Sequence, residues 1–139
     1  MAEQHARNVT RARVRLISFG YLHAAPPDAD LVLDARRYLR DPAAANGVLD
    51  LDGRDDRVQA VVLRTPGAAA TVRTLAAFVR EFPRQHDCVV AIGCAGGRHR
   101  SVALVELLAE SLHDPDARPD VVHLHVHLPR VLTSGGQHG

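Results

Sequence analysis

Lysine is absent. All 17 basic side chains of the 139-residue chain are arginine. A Walker A P-loop needs a lysine after its glycines, so that nucleotide-binding motif is excluded. Lysine Schiff-base chemistry is excluded with it. Tryptophan is also absent, with one Met, two Tyr and three Phe. Scarcity of these types together reads as the bias of a GC-rich genome, so the arginines carry no functional message by number alone. Neither sign of charge dominates: 17 basic residues face 16 acidic ones, for a net charge of +1. That excludes a strongly basic nucleic-acid stripe, though not a local patch. No apolar run approaches the ~18 residues of a membrane span. The stretch 1–15 is polar and Arg-dotted, without the apolar core of a secretory signal. The two cysteines, Cys88 and Cys94, share one apolar run. On a strand their Cα atoms would stand roughly 20 Å apart, too far for a disulfide. Two free thiols and no signal peptide point to a reducing, cytoplasmic setting.

What is present suits one domain with a real core. The expected organisation is a flexible leader at 1–12, a folded domain at 13–130 and a disordered tail at 131–139. Strands are expected at 14–20, 30–35, 88–93 and 120–128. Asp55 to Arg64 can form a short helix. Thr65-Pro66 reads as the start of the next one, with Thr as N-cap and Pro in the first helical position. Val72, Leu75, Ala76, Val79 and Phe82 then form one apolar stripe, ended by Pro83. Residues 99–112 repeat the pattern through Val102, Val105, Leu108 and Leu112. Between Arg36 and Asp52 the chain reads as irregular, with a turn at Asn46-Gly47. The order β-β-α-α-β-α-β argues for a single-domain α/β sandwich: a small, largely parallel or mixed sheet of about four strands flanked by helices.

The strongest chemical signal is Ile92-Gly93-Cys94-Ala95-Gly96-Gly97-Arg98-His99-Arg100-Ser101. It follows a buried strand and opens an amphipathic helix. Ligands of α/β sheets bind beyond the carboxyl ends of strands, where loops enter helices. Glycines let successive N–H groups converge on an anion, and the helix terminus adds partial positive charge. Arg98 and Arg100 supply forked donors for phosphate oxygens, and Ser101 a hydroxyl. The whole reads as a phosphate or carboxylate cradle; a Gly-rich structural turn with two solvated arginines is the plainer alternative. Within it Cys94 and Arg100 keep the C-x5-R spacing of cysteine phosphatases, in which a thiolate attacks phosphorus. Those enzymes typically carry His before the cysteine, where this chain has Gly93. They also need an acid to protonate the leaving group, and Asp28, Asp30 or Asp34 is a candidate.

Two further features are weaker. His123-x-His125-x-His127 would line three imidazoles along one strand face. With no acid or cysteine nearby in sequence, this reads as the polar face of an edge strand and not as a zinc site. His127, at the strand end, is the member expected to reach a pocket. Asp34-Ala35-Arg36 closes the second strand and could face the same crevice as the glycine loop; a surface ion pair is the alternative.

Three segments together, Ser18-Phe19-Gly20-Tyr21, residues 28–36 and residues 91–102, resemble the C-terminal domain of the RapZ/YvcJ family of RNase adapter proteins. The resemblance covers about residues 14–128. The family shows Gly-Cys-Thr-Gly-Gly-Lys-His-Arg-Ser-Val where this chain has Ala95 for Thr and Arg98 for Lys, the latter a consequence of the missing lysine. The resemblance implies a binding module that holds glucosamine-6-phosphate, with Asp34, Arg36, Gly96, Gly97, Arg100 and Ser101 lining the pocket. It also implies small-RNA binding, as in enterobacterial members, and self-association as a homodimer. Nucleotide hydrolysis belongs to the family's N-terminal Walker-motif domain, which is not in this sequence. Two departures bear on ligand and RNA. The family's Asn-Pro-His after Asp-x-Arg is replaced by a stretch around Arg40-Asp41-Pro42-Ala43. Its terminal His-Arg pair is His127-Leu128 here, with only Arg130 nearby. The expected ligand set is therefore Asp34, Arg36, Cys94, Ala95, Gly96, Gly97, Arg98, His99, Arg100, Ser101 and His127. No metal and no cofactor is expected. The ligand is a phosphorylated small molecule or other anion. A cysteine phosphatase using Cys94 and Arg100, and an RNA-binding adapter, are the alternatives.

Overall fold

A computed structural model describes residues 13–37 and 47–129. The leader, the tail, Asn46, the 40–43 stretch and Arg130 lie outside the described residues. Four strands, β1 (Val14–Gly20), β2 (Leu31–Asp34), β3 (Cys88–Cys94) and β4 (Asp120–His123), form one sheet in the order β2-β3-β1-β4. Every pairing is parallel. The central strands are apolar and buried, as a covered parallel sheet requires. Three helices, α1 (Asp56–Arg64), α2 (Ala68–Glu81) and α3 (Arg100–Ser111), complete the described elements.

The helices share one face of the sheet. Val58 and Val62 of α1, Leu75 and Val79 of α2, and Leu104 and Leu108 of α3 join Leu16, Val90 and Ile92 in the main core. The opposite face holds a small cluster of Ile17, Phe19 and Ala91, backed by Tyr21, Ala29 and Val89. Alternation along β1 sends Leu16 to one side and Ile17 to the other, the period-2 rule of a strand. α3 lies under the sheet centre and is buried almost all round in its first half, from Arg100 to Val105. No helix among the described residues is long and apolar enough to cross a membrane.

Two expectations need correction. Thr65 does not start α2; it closes α1, its N–H donating to the Val62 carbonyl at 2.9 Å and its hydroxyl to Val61 at 3.3 Å. Gly67, at φ +92°, makes the left-handed joint and stands as N-cap of α2. The glycine offers the positive φ that a Thr-Pro pair cannot. The last strand is also shorter than expected, ending at His123 instead of Leu128. After Leu124 donates to the Ser18 carbonyl, the ladder stops, because the next β1 amide, Gly20, donates to an imidazole. The chain then turns, Leu128 N–H donating to His125 O at 3.1 Å. The three histidines therefore do not share a strand face.

Candidate functional site

In a parallel sheet all carboxyl ends fall on one side, so Gly20, Asp34, Cys94 and His123 mark a common edge. The turn after β3 folds back onto the end of β1. Tyr21 and Leu22 donate N–H bonds to the Cys94 and Ala95 carbonyls, both at 2.9 Å. The approach is backbone on backbone: a Cβ on Gly20 would stand 2.4 Å from the Gly96 carbonyl carbon. Gly97 adopts φ +74°, and a Cβ there would stand 2.7 Å from Gly20 N. Gly20 is required for space, and Gly97 for both conformation and space.

The loop then enters α3 with no side chain capping the helix and no acidic residue in its first turn. A helix terminus of this kind favours an anion. Arg100, at 5% exposure, and Ser101, at 0%, are the first two helical residues and lie inside the fold. The Ser101 hydroxyl is 3.1 Å from the Cys94 sulfur, which is itself fully buried. Gly93 has a steric reason as well. A side chain there would meet the Phe19 and Tyr21 rings at 2.5 Å, so the histidine that precedes a phosphatase cysteine has no room here.

Facing the loop is a layered cluster. The Tyr21 ring covers Gly93, and the Arg36 guanidinium lies 3.6 Å from the Tyr21 centroid, a cation–π contact. Arg36 is held by a fork to Asp34, with Nε to Oδ1 at 3.0 Å and a terminal nitrogen to Oδ2 at 2.8 Å. That hydrogen bonding keeps the Asp34 carboxyl below its ordinary range, against the opposing effect of burial. Burial pushes the Tyr21 phenol up, and the Asp34 charge adds to it. Asp34 and Arg36 thus stand as a hydrogen-bonded pair against Tyr21 at the carboxyl edge.

Arg98 and His99 take different positions from the rest of the turn. Arg98 donates to the Asp50 carbonyl at 3.0 Å. His99, fully buried, places Nε2 2.7 Å from the Leu51 carbonyl and 3.2 Å from that of Leu49. Both residues strap the 49–53 segment to the start of α3, and Gly53 N–H closes the strap on the Arg98 carbonyl at 2.8 Å. The Arg98 Nε is nonetheless buried without a hydrogen-bond partner among the described residues.

The histidine run contributes where it was not expected. His127 is exposed on the final turn. His125 instead receives the Gly20 N–H on Nδ1 at 2.8 Å. That bond fixes the tautomer, leaving the proton on Nε2. Its ring stands 5.0 Å from that of His23, and burial, with His23 adding, pushes the His125 imidazole below its ordinary value. His123 bridges Ser18 Oγ at 2.6 Å and Glu106 Oε2 at 2.7 Å, tying β4 to β1 and α3. A carboxylate only accepts, so Nε2 carries the proton toward Glu106. The one sequence signal for this was a serine inside the buried β1 run, which demands a partner. Among the described residues no group of three or more His, Cys, Asp or Glu side chains could hold a metal ion.

Fold and edge together define a small parallel α/β domain whose glycine turn runs directly into a helix terminus at the carboxyl edge of the sheet. The RapZ C-terminal domain profile matches residues 12–127, and the chain belongs to that family. A nucleotide-binding protein of Thermobifida fusca is 39% identical over 120 residues, covering 82% of this chain and 40% of the relative. One of Sorangium cellulosum is 38% identical over 133 residues, covering 91% and 37%. One of Synechococcus sp. is 42% identical over 105 residues, covering 71% and 31%. The chain thus spans well under half the length of these relatives.

Proposed function

We propose that this domain is a receptor for a phosphorylated small molecule, a sugar phosphate of the glucosamine-6-phosphate type, and that it signals occupancy to a partner without transforming the ligand. The observation that carries this reading is the convergence at one sheet edge of the Gly96-Gly97 turn, the uncapped start of α3 and the buried Arg100. The phosphate is bound by loop and helix N–H groups with Arg100. The Asp34–Arg36 pair on Tyr21 orients the sugar end. The name of the longer relatives fits a phosphate-bearing ligand equally, and a nucleotide is the competing occupant. Full burial of Cys94 and its contact with Ser101 favour a packing role for the thiol over nucleophilic attack. A cytoplasmic setting and a homodimer belong to the same proposal; an RNA-binding adapter is an alternative to it.

Calorimetry tests it. Glucosamine-6-phosphate should bind saturably, unphosphorylated glucosamine should not, and Arg100→Ala should weaken binding by about tenfold or more, the loss of a charge-assisted hydrogen bond. Tighter binding of a nucleoside monophosphate would reassign the ligand. Absence of binding by every phosphorylated compound would end the reading. Phosphate release from an aryl phosphate that vanished in Cys94→Ser would restore the phosphatase alternative.

A further inference from the structure

The opposite, amino end of the sheet holds a cavity of about 530 Å³. It forms where Val14 opens β1 and Cys88 opens β3, beneath the carboxyl ends of α2 and α3. Its walls are apolar: Val14, Val79, Phe82 and Leu112, all packed against the main core. Its rim is basic. Among the described residues Arg13, Arg80, Arg84 and His86 line it, against a single acidic side chain, Asp114.

These rim groups are not equivalent. Arg80 donates to the Ser111 carbonyl at 2.8 Å and so satisfies the end of α3. Arg13 stands 3.7 Å from Asp120, its side chain 73% exposed, a contact that contributes little. The Arg84 and His86 side chains make no hydrogen bond or ion pair among the described residues. One margin of an apolar cavity therefore carries donors with no acceptor among the described residues.

We propose that this cavity binds a small anion with an apolar body, a carboxylate on an aliphatic or aromatic skeleton. The head sits at Arg84 and His86, and the body lies against Val79, Phe82 and Leu112. The volume is that of small-molecule sites, lined as such sites are by apolar walls with a few polar groups that set orientation. A sugar phosphate fits poorly, because the walls offer no partners for its hydroxyls and burying them unpaired is costly. A neutral hydrocarbon leaves the basic rim unused. The site is separate from the cradle and does not depend on the function proposed there.

The test is a titration of the whole chain with decanoate, kept below micelle-forming concentration, followed by amide nuclear magnetic resonance. Saturable shifts are expected at residues 84–88 and 112–117, with decanol at least about threefold weaker. Arg84→Gln should weaken decanoate by about threefold to fivefold, the range of one exposed ion pair. Ala117→Trp, which fills the cavity from its rim, should abolish the shifts. If that variant loses its dispersed spectrum, Arg84→Gln decides alone. No saturable shift, shifts confined to residues 96–101, or equal binding of decanol and decanoate would each overturn the proposal.

Discussion

The two ends of this sheet are built from different materials. At the carboxyl end, main chain packs on main chain: Gly20 meets Gly96 and Gly97 with no room for a single Cβ. At the amino end, side chains meet across open space, and Phe82, Leu112 and Val14 leave about 530 Å³ between them. A parallel sheet brings both sets of loops together with equal ease. The difference is that the carboxyl end packs backbone against backbone, which demands glycine, and straps the start of α3 to the 49–53 segment. The amino end is walled by side chains, which can leave an open cavity without any fixed main-chain geometry.

The largest effect that sharpens this contrast should come from Gly97→Ala. Positive φ and a contact of 2.7 Å to Gly20 N act together there, so a loss of about 3 kcal/mol is expected from overpacking and backbone strain. Gly67→Ala is its partner: the φ is also positive, at +92°, but nothing lies within 4 Å of the added Cβ. It should cost only about 1 kcal/mol. Urea denaturation of both variants separates crowding from strain, and equal losses would break the claim of backbone-on-backbone packing.

Next comes His123→Ala. It strands the fully buried Ser18 hydroxyl and releases Glu106, so a loss of about 2 kcal/mol is expected in the same assay. A change below about 0.5 kcal/mol would mean that β4 is held without this bridge. The smallest effect concerns pH. His125 accepts a backbone N–H and resists protonation in the fold. Above its unfolded value of about 6.5 the ring is neutral in both states and has no effect. As pH falls from there through the lower folded value, the unfolded chain takes the proton first and stability drops. Denaturation midpoints at about pH 7.5 and about pH 5.5 should show this limb, and His125→Gln should flatten it. An unchanged limb would place the titration elsewhere.

Much of this arrangement was legible in the residues. β1 and α3 begin and end within a residue of expectation, because a continuous apolar run and a 3.6-residue stripe are strong signals. The glycine turn was placed at a strand-to-helix junction for the same reason. What escaped were features set by partners distant in sequence. Nothing near residue 125 indicates that Gly20 would donate to its ring, or that β4 would stop to allow it. Arg98 and His99 read as ligand groups because their side chains suit anions, yet the 49–53 segment offers them carbonyls first. The role of Gly67 is masked in the sequence by Thr65-Pro66, since a cap motif and a left-handed joint compete for the same few residues.

The central claim is that the two ends of the sheet differ in what they recognise, and that phosphate belongs to the glycine end. Titrating glucosamine-6-phosphate into isotope-labelled protein and following its amides tests this most directly. The account predicts saturable shifts at residues 96–102 and 34–36, with residues 84–88 and 112–117 unmoved. Shifts at the amino end, or none at the Gly96–Ser101 amides, would contradict it.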